Sequence, residues 1–255
     1  MSEVTVGRLH EMKRDGVKIV GVVAWDFQIA RLADRAGVEM VSVGDSVGVN
    51  LWGRADEADV TLAEMLIVCQ AVRRGVTRAL VSCDLPVAVF RSSTECALAA
   101  AMRLVNDGGA DIVKLDGAAE FPERVSAIVR AGVPVFAQMQ LVHGADPAAE
   151  TPRLVADAKR LEDAGAVLID FKYSGPVAGA AVAGGVSIPV LGGLGGGPWL
   201  DGRLRMAHAA IGYAASNLET PADTYANVAR VAFDALSEYV NDVRGGRQLK
   251  GQGRT

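Results

Sequence analysis

Positive charge, histidine and cysteine pairing are all scarce in this sequence, and each shortage removes a class of function. Its 255 residues carry 26 Lys and Arg against 30 Asp and Glu, a net charge of -4. With an isoelectric point near 5.5, such a chain is not built to grip nucleic acid or to lay a basic face on a membrane. Its few basic clusters, such as Arg73-Arg74, sit among apolar helical residues and read as solvated faces. Cys69, Cys83 and Cys96 show no C-x-x-C and no metal-ligand spacing, and an odd count fits reduced thiols. The three histidines do not cluster: His10 falls in a leading helix, His143 in a loop and His208 in a late helix. Zinc is therefore not the expected metal. No apolar run is long enough to span a bilayer, and the segment 1–15 is charged without an apolar signal core. A soluble cytoplasmic protein is expected.

Half of the chain is apolar, enough for a sizeable core. Its length fits one large α/β barrel or two small domains. Strand and helix patterns alternate throughout. Strands are expected over 17–25, 38–43, 78–83, 111–115, 133–137, 166–171 and 188–191. Helices are expected over 6–13, 27–36, 60–74, 94–107, 122–131, 153–164 and 177–183, several stopped by Gly. The last unit reads as a helix over 202–208 and a strand over 209–213, followed by a long helix over 221–244. About eight such units with little extra sequence predict a closed (β/α)8 TIM barrel rather than an open sheet. Residues 1–244 read as one domain ending in that long helix, and 245–255 as a flexible polar tail.

The strands end in polar residues or glycine: Asp26, Asp45 with Ser46, Asp84, Lys114 with Asp116, Gln138, Lys172, then the glycine run 192–197. Barrel closure would gather these ends at the catalytic face. Each has a plainer reading, since Asp45 at a turn could simply cap the next helix. Three carboxylates at Asp45, Asp84 and Asp116 raise one another's pKa, and a hard divalent cation removes that cost. Oxygen-only ligands suit magnesium or manganese. Lys114, inside an apolar strand, could hold a substrate carboxylate or stabilise an enolate beside the metal. The 192–197 run reads equally as a phosphate cradle or as a tight loop; it lacks the Lys-Ser/Thr of a P-loop.

Five segments together resemble the ketopantoate hydroxymethyltransferase family of the phosphoenolpyruvate mutase/isocitrate lyase superfamily. They are Val23-Ala24-Trp25-Asp26-Phe27, Val43-Gly44-Asp45-Ser46-Val47-Gly48, Ala71-Val72-Arg73-Arg74-Gly75, Asp84-Leu85-Pro86 and Val113-Lys114-Leu115-Asp116-Gly117. The resemblance implies a β/α barrel, a ring-like homo-oligomer, and magnesium-dependent hydroxymethyl transfer from methylenetetrahydrofolate to 2-oxoisovalerate. It implies that Asp45 and Asp84 ligate the metal, that Ser46 and Lys114 hold the substrate carboxylate, and that Asp116 assists through the metal shell.

The departures fall in the proton-transfer half of the site. The family has Glu where this chain has Asp116, His where it has Gln138, and its presumed catalytic Glu where it has Lys172. The loop after Gln138 is also shorter than the family's, which would remove a lid. Gln138 and Lys172 are therefore expected to contact substrate, Lys172 either as a base of lowered pKa or as the partner of an extra anionic group. A C1 transfer to an altered 2-oxo acid acceptor is the leading expectation. The alternatives are a lyase or mutase of the wider superfamily, disfavoured by the missing Lys-Cys-Gly motif, and a catalytically dead metabolite-binding homologue.

Overall fold

A computed structural model describes residues 2–142, 144–220, 223–247 and 249–251. Its eight strands are β1 (Ile19–Val23), β2 (Met40–Val43), β3 (Leu80–Asp84), β4 (Ile112–Leu115), β5 (Val135–Gln140), β6 (Leu168–Lys172), β7 (Val190–Gly192) and β8 (Gly202–Met206). They close into one barrel in chain order, with each consecutive pair parallel. This is the expected (β/α)8 barrel. The helices are α1 (Val6–Arg14), α2 (Phe27–Ala36), α3 (Val47–Asn50), α4 (Leu62–Gly75), α5 (Val87–Phe90), α6 (Thr94–Asn106), α7 (Pro122–Arg130), α8 (Pro147–Asp163), α9 (Pro176–Gly185), α10 (Ala207–Ala210) and α11 (Val228–Arg244). Among the described residues no helix is long and apolar enough to cross a membrane.

The N-terminal end of the barrel is an apolar floor. Every strand supplies one buried side chain to it: Ile19, Met40, Leu80, Ile112, Phe136, Leu168, Leu191 and Leu204. Leu9 and Met12 of α1 complete the cluster, so the leading helix plugs the barrel from below. Alternation of side chains along a strand then fixes the next layer up. Two residues beyond the floor positions of β2 to β6, the inward side chains are Ser42, Ser82, Lys114, Gln138 and Asp170. Ser82 Oγ donates to Ser42 Oγ at 2.7 Å, satisfying the buried hydroxyls of β2 and β3.

Two segments differ from the sequence expectation. Residues 202–206 form strand β8 and Ala207–Ala210 form α10, the reverse of the expected helix and strand. Gly-Arg-Leu-Arg-Met alternates buried and exposed positions, which is a strand period. Gly202 is needed there, because a Cβ would run into the Ile19 carbonyl oxygen across the seam that closes the barrel. Helix α8 begins at Pro147, not residue 153, because Asp146 caps it by accepting from Ala148 N–H at 3.0 Å.

The chain divides into two compact units, one through Arg205 and one from Met206 onward. In the second unit α11 starts at Val228, capped by Asn227, so the expected helix starts later than foreseen. Pro221, where that helix was expected to begin, lies outside the described residues, as do His143 and, in the expected flexible tail, Gln248 and residues 252–255. Val231, Phe233, Leu236, Tyr239 and Val243 of α11 are exposed.

Candidate active site

Three strand ends set out the site. β2 ends at Val43, and Gly44 then carries the chain into Asp45 and Ser46 at the start of α3. A Cβ at Gly44 would sit 2.8 Å from Ser46 Oγ and 3.1 Å from Val23 Cγ1, so glycine lets this turn fold Ser46 back over it beside β1. Asp45 is buried and Ser46 partly buried. β3 ends at Asp84, which lies in register beside Lys114 of β4. Lys114 Nζ donates to Asp84 Oδ2 at 3.2 Å and makes a closer ion pair with Asp116. Its third acidic neighbour is Asp170 of β6, with Oδ2 at 3.9 Å. Lys172 Nζ in turn donates to the other oxygen of Asp116 at 2.8 Å. Asp116 thus bridges two ammonium groups. Gln138 Oε1 accepts from Gly117 N–H at 2.8 Å, which fixes the turn after Asp116.

Burial and charge pull these groups in different directions. Burial pushes the Asp45 carboxyl up to about 6, opposed by Lys114 and reinforced by Asp116 and Glu57. Burial pushes Asp84 to about 8, with Lys114 opposing and Asp45 adding to the rise. For Asp116 burial is outweighed by Lys114 and Lys172, and its carboxyl falls well below the usual range. Burial works against charge on Lys114, but Asp116, Asp84 and Asp170 hold its ammonium well above the ordinary lysine value. Lys172 is likewise raised: burial and Lys114 disfavour its charge, and Asp116 overcomes both. That direction favours the ammonium form, and with it the reading of Lys172 as the partner of an anionic group.

A divalent cation fits these residues. Asp84 Oδ1 is buried without a hydrogen-bond partner, an orphaned acceptor beside a second buried carboxylate at Asp45. No group of three or more His, Cys, Asp or Glu side chains is gathered in ligating positions among the described residues. Two carboxylates would suit a cation that takes its remaining oxygens from water and substrate, as magnesium does. Asp116, expected to assist through the metal shell, pairs with Lys114 and Lys172.

A cavity of about 430 Å³ opens onto the Asp116 side of this cluster, and Asp45, Ser46, Asp84 and Lys114 are not among its lining residues. Asp116, Gln138 and Lys172 line it, together with Glu57, Arg91 and Arg153. Asp26 does not contribute its carboxylate to this wall; it caps α2, accepting from Gln28 and Ile29 N–H at 2.8 and 2.9 Å. In the 192–197 run, a Cβ on Gly196 would lie 2.9 Å from Gly192 Cα, and Gly193 N–H is already taken by Asp170 Oδ1 at 3.2 Å. That packing makes the run a tight loop. Two functional candidates escaped sequence reasoning. Asp170 was readable as the inward residue two positions before Lys172; Glu57 lies in an irregular segment with no periodicity to mark it.

Residues 3–248 match the family model described as ketopantoate hydroxymethyltransferase. A 3-methyl-2-oxobutanoate hydroxymethyltransferase of Geobacillus kaustophilus (strain HTA426) is 36% identical over 91% of this chain and 87% of its own. One from Salinibacter ruber (strain DSM 13855 / M31) is 35% identical over 96% of each. Among solved structures, 2,3-dimethylmalate lyase, a PEP mutase/isocitrate lyase superfamily member, superposes with a TM-score of 0.64 at 17% identity, over 95% of this chain and 99% of that one. Phosphonopyruvate hydrolase in complex with oxalate and Mg++ gives 0.65 at 14% identity, over 98% and 90%. Such distant likenesses establish the shared fold.

Proposed function

The chain belongs to the ketopantoate hydroxymethyltransferase family, a family of transferases, and from that premise we propose that it transfers a hydroxymethyl group to the enolate of a 2-oxo acid. The observation that carries the reading is Lys114, a buried ammonium fixed between Asp84 and Asp116, the latter a wall of the cavity. There it can hold negative charge on a substrate carboxylate or enolate oxygen without reorganising. Ser46 stands at the mouth of strand β2, two strands from Lys114 in the barrel, and would offer a hydroxyl to the carboxylate. A divalent cation, magnesium or manganese, held by Asp45 and Asp84 would add positive charge at the enolate oxygen. Methylenetetrahydrofolate is the expected C1 donor, as the family resemblance implies.

The acceptor differs from 2-oxoisovalerate. Lys172 reaches the cavity as an ammonium, with one N–H on Asp116 and two left to donate. An acceptor with a second anionic group, a carboxylate or phosphate, would satisfy it. The experiment is hydrogen–deuterium exchange at C3 of 2-oxoisovalerate, read by NMR in heavy water with magnesium. Slow exchange by wild type, accelerated in Lys172→Glu, is the expected result. Equal exchange by the two proteins would refute the claim that this position redirects the acceptor.

A homo-oligomer is part of the same reading. The apolar side chains Val231, Leu236 and Val240 of α11 are exposed and need a surface to cover them. Light scattering should find a species larger than one chain; a monomer at micromolar concentration would contradict it.

A further inference from the structure

Forming an enolate requires a base that reaches the cavity, and the strand ends do not provide a free one. Asp116 accepts from both Lys114 and Lys172. Asp170 is enclosed near Lys114 and accepts from Gly193 N–H. Gln138 cannot take a proton and is tied to Gly117 N–H. Asp45 and Asp84 are the pair suited to the cation.

Glu57 stands apart from all of these. It lines the same cavity as Asp116, Gln138 and Lys172, but from an irregular segment between α3 and α4 and not from a strand end. Its carboxylate is exposed and makes no hydrogen bond or ion pair with the described residues. Its charge is near enough to Asp45 to act on that carboxyl.

The segment that carries Glu57 is braced. Glu57 opens a 3-10 turn, Glu57–Asp59, capped by Asp56, which accepts from Ala58 N–H at 2.9 Å. Arg54 spans the segment: its guanidinium pairs with Glu64 of α4 and donates to Asp59 O at 2.9 Å, and its backbone N–H donates to Gly48 O at 2.9 Å. Val60 is buried against Gly48, where a Cβ would lie 2.6 Å from Val60 Cγ2. Thr61 and Glu64 then form a capping box that starts α4. These ties hold both ends of the turn and leave the Glu57 side chain as its one carboxylate lining the cavity. A free carboxylate on a fixed support is what proton abstraction requires.

We propose that Glu57 is the catalytic base that forms the enolate, an assignment that rests on the hydroxymethyl-transfer reading of this site. The C3–H bond of the 2-oxo acid breaks and its proton forms an O–H bond on Glu57. The released electron pair becomes the C2=C3 bond, and the carbonyl π pair moves onto oxygen beside Lys114. The reverse step returns the proton to C3.

The test is C3 exchange in heavy water, with magnesium and no C1 donor, using 2-oxoisovalerate and 2-oxoglutarate as probes. Glu57→Gln should slow exchange by about 100-fold or more. Calorimetric binding of the same acid should stay within about threefold of wild type, as expected for a group that acts on the proton and does not hold the ground state. Glu57→Asp should recover part of the rate. Exchange by Glu57→Gln within about threefold of wild type overturns the assignment, as does a loss of binding that matches the loss of exchange. If wild type exchanges neither acid, the transfer reading fails, and the assignment fails with it.

Discussion

The floor and the mouth of the barrel are built on the same strands and filled with opposite chemistry. On β4, Ile112 belongs to the apolar floor, and Lys114, one inward step higher, faces three carboxylates. On β6, Leu168 lies in the floor, Asp170 above it and Lys172 above that. The floor gains from burial everywhere, since each strand contributes a side chain that loses only apolar surface to water. The mouth loses from burial nearly everywhere: Asp45, Asp84 and Asp170 are all pushed up by it. A site that keeps charges out of water has to stand on a part of the molecule that supplies stability, and here that part lies directly beneath it.

The sharpest way to break the comparison is Lys114→Met, which keeps the size of the side chain and removes its charge. Because Asp84 and Asp116 would lose their ammonium partner, stability should fall by about 3–5 kcal/mol. C3 exchange per folded molecule should fall by about 100–1000-fold, the range for losing one preorganised charge at a developing oxyanion. Exchange within a factor of about three, with correct folding checked by circular dichroism, would remove Lys114 from the chemistry.

Phe136→Ala tests the other end. The ring is fully buried in the floor, and its loss should cost about 3–5 kcal/mol in denaturant unfolding. Exchange per folded molecule should stay within about twofold of wild type, because Phe136, although in register beside Lys114, brings no polar group and does not line the cavity. A floor substitution that lowered exchange as much as Lys114→Met would erase the division between the two ends.

Much of this division was legible in the sequence. Strict alternation of strand and helix patterns pointed to the barrel, and the habit of ending strands in Asp, Lys or Gln marked its catalytic face. Asp84, Lys114, Asp116, Gln138 and Lys172 converge as strand-end reasoning expected. That reasoning failed where it looked only at ends. Asp170 sits inside β6, and its inward direction follows from a two-residue period that it shares with Lys172. Asp26 sits at a strand end, yet its carboxylate caps a helix. The last unit was reversed, and the alternation of buried and exposed positions along Gly202–Met206 is what gives the strand away. Glu57 was illegible for another reason. Its position depends on Arg54, Gly48 and Glu64 fixing an irregular segment, and tertiary contacts of that kind leave no pattern in the chain.

The central claim is that Asp45 and Asp84 at the mouth of the barrel would together hold a divalent cation, with Lys114 beside Asp84. Isothermal titration calorimetry of magnesium into wild type, Asp45→Ala and Asp84→Asn tests it most directly, with folding of each verified by thermal melting. One equivalent bound by wild type and none by either variant is the expected result. Equal binding by all three would place the cation elsewhere and contradict the account.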